Sequence, residues 1–139
     1  MLREAFLQNA NWIFHLAIPC RALDEAVDFY ISKLRCRLAR RYDDRITMDF
    51  FGSQVVCHLS PENIDPEPQM YRRHFGITFR DRGDFDAVFE AVRHSGVEFF
   101  QEPMARFGGR REEHVTFFLR DPSNNLLEFK FYQDPEMTY

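Results

Sequence analysis

The sequence predicts an α+β fold made of two copies of a β-α-β-β-β module, paired to form a curved mixed sheet. Three observations predict it. Eight short segments alternate apolar and polar residues with period two, and two longer ones carry helical spacing. The order strand, helix, strand, strand, strand occurs twice. The 139 residues suit one domain and divide into modules of roughly 60 to 65 residues, neither able to close a core alone. Residues 1–139 therefore form one domain, with module one at about 11–60, a linker at about 61–73 and module two at about 74–132.

The first strand covers residues 11–18, where Phe14, Leu16 and Ile18 alternate with Ile13, His15 and Ala17. After Pro19, a stripe of Leu23, Ala26, Val27, Tyr30 and Leu34 predicts an amphipathic helix over 23–34. Strands at 36–42, 46–51 and 54–59 complete module one, the last two joined by a tight Gly52-Ser53 turn. Pro61, Pro66 and Pro68 then break all periodicity, which makes 60–73 a linker within the domain.

Module two opens with a strand at 74–79 and a helix at 85–95, ended by Gly96 in the position that favours a left-handed residue. Strands follow at 97–101, 115–119 and 126–132. Asp121-Pro122-Ser123-Asn124-Asn125 supplies turn chemistry between the last two. The polar stretch 103–113, with Phe107, Gly108 and Gly109 at its centre, suits either a lid or a long hairpin.

Composition narrows the function. The 18 basic and 22 acidic residues give a formal charge of -4, which argues against nucleic acid as a partner. No window approaches the length of a membrane span, and no signal-peptide core follows Met1, Leu2, Arg3 and Glu4, so a cytoplasmic location is expected. Cys20, Cys36 and Cys57 lack paired spacing and are expected to be reduced core or half-buried thiols. The sixteen phenylalanines fall mostly on core faces, with Phe50, Phe51, Phe99, Phe100 and Phe107 as candidates for a substrate wall. Arg40, Arg72, Arg106 and Arg111 are candidate anchors for an anionic substrate group. His94, near the end of the second helix, is a favourable C-terminal charge.

Four residues stand out by position. His15 lies on the first strand of module one and His74 opens the first strand of module two; His58 and Glu128 lie on the last strands of the two modules. Alternation puts each on the face opposite the core, since Phe75, Ile77 and Phe79 oppose His74, and Leu127, Phe129 and Phe131 oppose Glu128. Two histidines and a carboxylate, with a third histidine in reach, are ligand types for Fe(II), Mn(II), Ni(II) or Zn(II).

On these residues the chain resembles the vicinal oxygen chelate superfamily, which includes glyoxalase I, extradiol dioxygenases, fosfomycin-resistance enzymes and bleomycin-binding proteins. The matching segments are Phe14-His15-Leu16-Ala17-Ile18, Asp28-Phe29-Tyr30, His74-Phe75-Gly76-Ile77 and the run from Asp121 to Phe129, so the resemblance covers about residues 12–132. It implies paired βαβββ modules around one divalent metal ion, with His15, His74 and Glu128 as ligands and His58 at the fourth-ligand position of glyoxalase I. There glyoxalase I has a carboxylate, and Glu62 stands where it has an asparagine; Phe118 stands where the extradiol signature has a tyrosine.

The resemblance is closest to small predicted extradiol-type dioxygenases, through Phe50-Phe51-Gly52-Ser53-Gln54 and Leu127-Glu128-Phe129-Lys130. It implies an Fe(II) enzyme acting on a small catechol-like or other bidentate oxygen substrate; His58 or His114, neither at the spacing of the family's histidine, is the candidate proton relay, and Glu128 or His58 would shuttle the proton in a glyoxalase-type reaction. The alternatives are an oxygen-independent glyoxalase-type lyase or isomerase, and a binding or resistance protein that sequesters a small aromatic compound. A homodimer is expected, with the modules paired either within a chain or across the dimer.

Overall fold

Period-two alternation becomes eight strands in two four-stranded sheets, described over residues 7–139 in a computed structural model. Met1, Leu2, Arg3 and Glu4, read above for a leader, lie outside the described residues. In module one, β1 (His15–Cys20) pairs parallel with β4 (Ser53–Leu59), which is followed by β3 (Arg45–Phe50) and β2 (Arg37–Arg41). In module two, β5 (Phe75–Phe79) pairs parallel with β8 (Leu126–Tyr132), followed by β7 (His114–Arg120) and β6 (Phe99–Arg106). The sheet order is the same in both, so the repeated order of elements is a repeated topology. No helix among the described residues is long and apolar enough to cross a membrane.

Several boundaries differ from the sequence reading for identifiable reasons. β1 runs through Pro19 to Cys20, because an edge strand has a side on which a missing N–H is not needed. β6 likewise runs through Pro103 to Arg106, its register shifting on both sides of Gln101. The polar stretch from 103 is thus the end of a strand and a hairpin turn. That turn is closed on itself by Gly109 N donating to Glu113 Oε1 at 2.6 Å and Arg110 N to the Phe107 carbonyl at 3.0 Å.

The first helix changes character halfway. α1 (Leu23–Val27) continues as a π-helical segment, Asp28–Lys33, in which Leu34 N donates to the Phe29 carbonyl five residues back, at 2.9 Å. The wider turn sends both Phe29 and Tyr30 inward, where a regular helix of this stripe would bury only Tyr30. α2 (Arg82–Ser95) starts three residues before the expected point. Asp81 caps it by accepting from Gly83 N at 2.6 Å, and Gly96 ends it at φ 82°.

The β3–β4 hairpin turns on Phe51 and Gly52, not on Gly52 and Ser53, since Phe50 pairs with Ser53 and both loop residues have positive φ (51° and 93°). A phenylalanine is costly there. Its ring packs edge-on against Phe50 and Phe129 at 4.9 and 5.8 Å between centroids, which ties the turn to module two.

One core serves both modules. Phe50 lies 5.4 Å from Phe75 and Phe129 lies 5.3 Å from Phe117, and the buried cluster draws on both sheets. The modules are also tied by a buried polar cluster. Tyr30 donates to Asp121 Oδ2 at 2.7 Å, Asn125 Nδ2 bridges Asp121 and the Pro19 carbonyl at 2.9 Å each, and Arg21 N donates to Ser123 Oγ at 2.9 Å. Ser123 N and Asn125 N both donate to Asp121 Oδ1 at 2.8 Å. The expected turn chemistry is therefore also the clasp between modules. Cys20, Cys36 and Cys57 are all buried and free, and burial pushes the first two thiols up to about 11 and about 12, as inert core groups should be.

β5 and β8 approach unusually closely at Gly76, where a methyl group would overlap the backbone carbonyl of Glu128. Gly76→Ala should prise these strands apart and cost several kcal/mol, about the scale of severe backbone effects, read as a lowered denaturation midpoint. Asp121→Asn should cost about 1–3 kcal/mol, because donors on Tyr30 and Asn125 lose their acceptor. Burial, opposed by these hydrogen bonds, leaves the Asp121 carboxyl above its ordinary value. The folded state therefore holds this proton more tightly than the unfolded chain, and the group's contribution is full at low pH and lost as pH rises through the folded value. Denaturant titrations of both proteins across the acidic range should show the deficit of Asp121→Asn narrowing as pH rises.

Candidate metal centre

The faces turned away from the core carry the predicted site residues, in two groups. On the second sheet, His74 immediately precedes β5 and Glu128 is the third residue of β8, with Gly76 and Glu128 as direct partners. His74 Nε2 stands 3.1 Å from Glu128 Oε1. His74 Nδ1 lies 2.6 Å from the Met70 carbonyl oxygen, and Thr116 donates to Glu128 Oε2 at 2.7 Å. A carbonyl oxygen only accepts, so Nδ1 carries a proton and Nε2 is the atom presented to the carboxylate. Nε2 and Glu128 Oε1 both offer lone pairs, so the two atoms together suit a shared metal ion.

On the first sheet His15 is arranged the same way. Its Nδ1 lies 2.8 Å from Gln54 Oε1, its direct partner on β4, which leaves Nε2 free on an exposed side chain. Each histidine thus has Nδ1 fixed by an oxygen acceptor and Nε2 available, the orientation that outer hydrogen bonds give to metal-binding imidazoles. The donor set fits a divalent ion: two imidazole Nε2 atoms and one carboxylate already held by a hydroxyl. The sequence reading missed Gln54, Thr116 and the Met70 carbonyl, all legible only once strand register is known.

The two groups do not meet within one chain, since no three histidine, cysteine, aspartate or glutamate side chains converge among the described residues. His58 stands apart from both. Ala17 pairs with Val56 as Gly76 pairs with Glu128, so the residue equivalent to Glu128 is Val56, and His58 lies two residues further along, opposite Pro19. It borders a separate hollow with Ser60, Asn63 and Arg73. His114 shares the Glu128 face but lies at the far end of β7, opposite Tyr132, buried with its ring 4.8 Å from that of Tyr132 and its Nδ1 2.9 Å from the Glu112 carbonyl oxygen. His94 faces Glu90 on α2 at 3.3 Å.

Other side chains complete the surroundings of His74 and Glu128. The Phe118 ring packs edge-on against the His74 imidazole at 5.1 Å. Lys130 Nζ lies 4.0 Å from Glu128 Oε1 and 5.2 Å from the centre of the Tyr132 ring. An open hollow bounded by His74, Gly76, Thr78, Glu128 and Lys130 gives access from solvent. Of the candidate wall residues, Phe50 and Phe99 pack with other core aromatics, while Phe51, Phe100 and Phe107 stand partly exposed. Of the candidate arginine anchors, Arg106 is held by the Tyr71 hydroxyl at 2.6 Å and Arg111 by Asp134 and Glu136 at 3.2 and 2.9 Å.

Comparison with known proteins identifies the family and the fold. The family model described as the Glyoxalase/Bleomycin resistance protein/Dioxygenase superfamily matches residues 12–129. A crystal structure of a glyoxalase/bleomycin resistance protein/dioxygenase from Alicyclobacillus acidocaldarius is 59% identical, with a TM-score of 0.91, covering 96% of this chain and all of that one. The glyoxalase domain-containing protein RDO1 of Mycosarcoma maydis is 27% identical over 128 residues, 86% of this chain and 68% of that protein. The fosfomycin resistance protein FosX of Listeria monocytogenes shares the fold at 14% identity, with a TM-score of 0.68 over 91% of this chain and 98% of that one. With a family model matching residues 12–129 and a sheet topology that repeats in two βαβββ modules, the chain belongs to the glyoxalase/bleomycin resistance protein/dioxygenase superfamily.

Proposed function

We propose that the chain is a metal-dependent enzyme that binds two adjacent oxygens of a small substrate at an Fe(II) ion held by His15, His74 and Glu128, and that its reaction is an extradiol-type dioxygenation. The observation that carries this is the matched orientation of the two imidazoles, each with Nδ1 tied to an oxygen and Nε2 presented beside or toward the exposed face. Two histidines and one carboxylate are the ligand set of non-haem Fe(II) oxygenases with open positions. The chemistry Fe(II) supplies when bound is Lewis acidity and one-electron exchange.

The chain's own residues do the positioning. The Met70 carbonyl and Phe118 fix the His74 ring, and Thr116 fixes Glu128 Oε2 so that Oε1 faces the ligand position. The Lys130 ammonium, beside Glu128 Oε1, favours a substrate oxygen that arrives ionised.

A second copy of the chain completes the site in this proposal. His15 sits on a different sheet from His74 and Glu128, and beside it Trp12, Ile13 and Phe14 are 62%, 64% and 67% exposed. A run of exposed apolar side chains of this kind marks an interface. A two-fold pairing would set the His15 face of each copy against the His74 face of the other, giving two identical sites.

His15→Ala, His74→Ala and Glu128→Ala should each abolish retention of stoichiometric metal by anaerobically purified protein, measured by elemental mass spectrometry, and Thr116→Ala should weaken metal affinity about 10–100-fold. Mixing unfolded His15→Ala and His74→Ala chains and refolding them should restore about a quarter of the wild-type sites, since half the dimers are mixed and each has one intact site. No recovery would overturn the shared site. Oxygen consumption with a panel of catechols tests the reaction: uptake by the iron-loaded enzyme is expected, whereas oxygen-independent turnover would replace it with a glyoxalase-type proton transfer.

A further inference from the structure

We infer that Arg40 is a specificity residue that recognises an anionic group on the substrate, at a distance from the oxygens that would chelate the metal; the inference rests on the proposed metal-chelating function. Strand register places it. One rung of the first sheet runs Arg37, Asp49, Gln54, His15 across all four strands, and the next runs Arg40, Thr47, Val56, Ala17. Direct partners share a face, so Arg37 and Arg40 lie on the face that presents His15.

They do so only because of a bulge. The register of β2 shifts between Leu38 and Arg40, so residues three apart point the same way and Arg41 is turned to the helix side, where it pairs with Asp24 of α1 at 2.8 Å. The alternation of the sequence by itself would have put Arg37 and Arg40 on opposite faces.

Charge pairing then singles out Arg40. Among the four arginines of β2 and β3, Arg37 faces Asp49 at 3.5 Å, Arg41 faces Asp24, and Arg45 faces Asp44 at 2.7 Å while lying over the Tyr42 ring. Arg40 has no ion pair or side-chain hydrogen bond among the described residues. It borders a hollow of about 170 Å³ lined also by Ile13, Thr47 and Gln54 and by the paired Arg37 and Asp49, whose charges offset each other. Gln54 is the residue that holds His15, so the hollow adjoins the metal position. A guanidinium fork without an acidic partner of its own, beside the Ile13 side chain, suits a planar oxyanion such as a carboxylate. Three strand spacings, about 14 Å, separate the β2 and β1 backbones, which puts the anionic group at the end of the substrate remote from its chelating oxygens.

Calorimetry of the Mn(II)-loaded, oxygen-free protein with catechol and with protocatechuate, which adds one carboxylate to the same pair of oxygens, tests this. Protocatechuate should bind at least tenfold more tightly, and Arg40→Gln should remove that preference while leaving catechol affinity and Mn(II) content unchanged. Equal binding of the two compounds by wild type, or a preference that survives in Arg40→Gln, would overturn the role of Arg40 with chelation intact. Binding of neither compound by Mn(II)-loaded wild type would overturn the chelating function, and this inference with it.

Discussion

The buried carboxylate of Asp121 is the constraint on which the rest of the molecule depends. It accepts from Tyr30, Asn125 and two backbone N–H groups, and through Tyr30 and the Asn125 bridge to the Pro19 carbonyl it joins the helix and first strand of module one to the β7–β8 turn of module two. Tyr30, Asp121 and Ser123 are buried, so losing the acceptor there leaves a buried donor without its partner and costs the fold directly. The clasp sits at the end of β1 and the start of β8. It thereby fixes how the two sheets are offset, and with them the two faces that carry the site residues.

Within module two, the close approach of β5 to β8 does for the site what the clasp does for the modules. Only a residue without a side chain fits at position 76, and that contact holds the strand bearing Glu128 against the strand that follows His74. His74 and Glu128 are consequently held together by backbone geometry before any ligand arrives, while Thr116 and the Met70 carbonyl select which atoms face outward. Module one repeats the topology without repeating this chemistry. The position equivalent to Glu128 is Val56, and a glutamine at the base of the strand holds His15 instead. The halves are therefore unequal: one places an imidazole and a carboxylate in contact, the other a single oriented imidazole and a face bearing arginines.

Much of this was legible beforehand, because burial enforces periodicity. The two βαβββ modules and the outward faces of His15, His74 and Glu128 follow from which residues are apolar and how they are spaced, and Gly96 marks the end of the second helix. The hairpin turn was displaced by one residue because Phe51 takes a left-handed conformation that its chemistry opposes, and contacts with Phe129 in the other module compensate. The π-helical segment was missed because its wider turn is stabilised by burying Phe29 and Tyr30 together, a property of the packed core and not of the segment.

What the sequence by itself determined is which side chains face the core and which face away, since alternation is a local property of a strand. It could not determine how far one strand slides past the next. That offset separates Val56 from His58 as the counterpart of Glu128, sets Gln54 beside His15, and through a single bulge brings Arg40 onto the face it shares with Arg37. Register is chosen by the joint packing of all the strands and by the clasp between modules, so only the tertiary structure decided which of the outward-facing residues stand together.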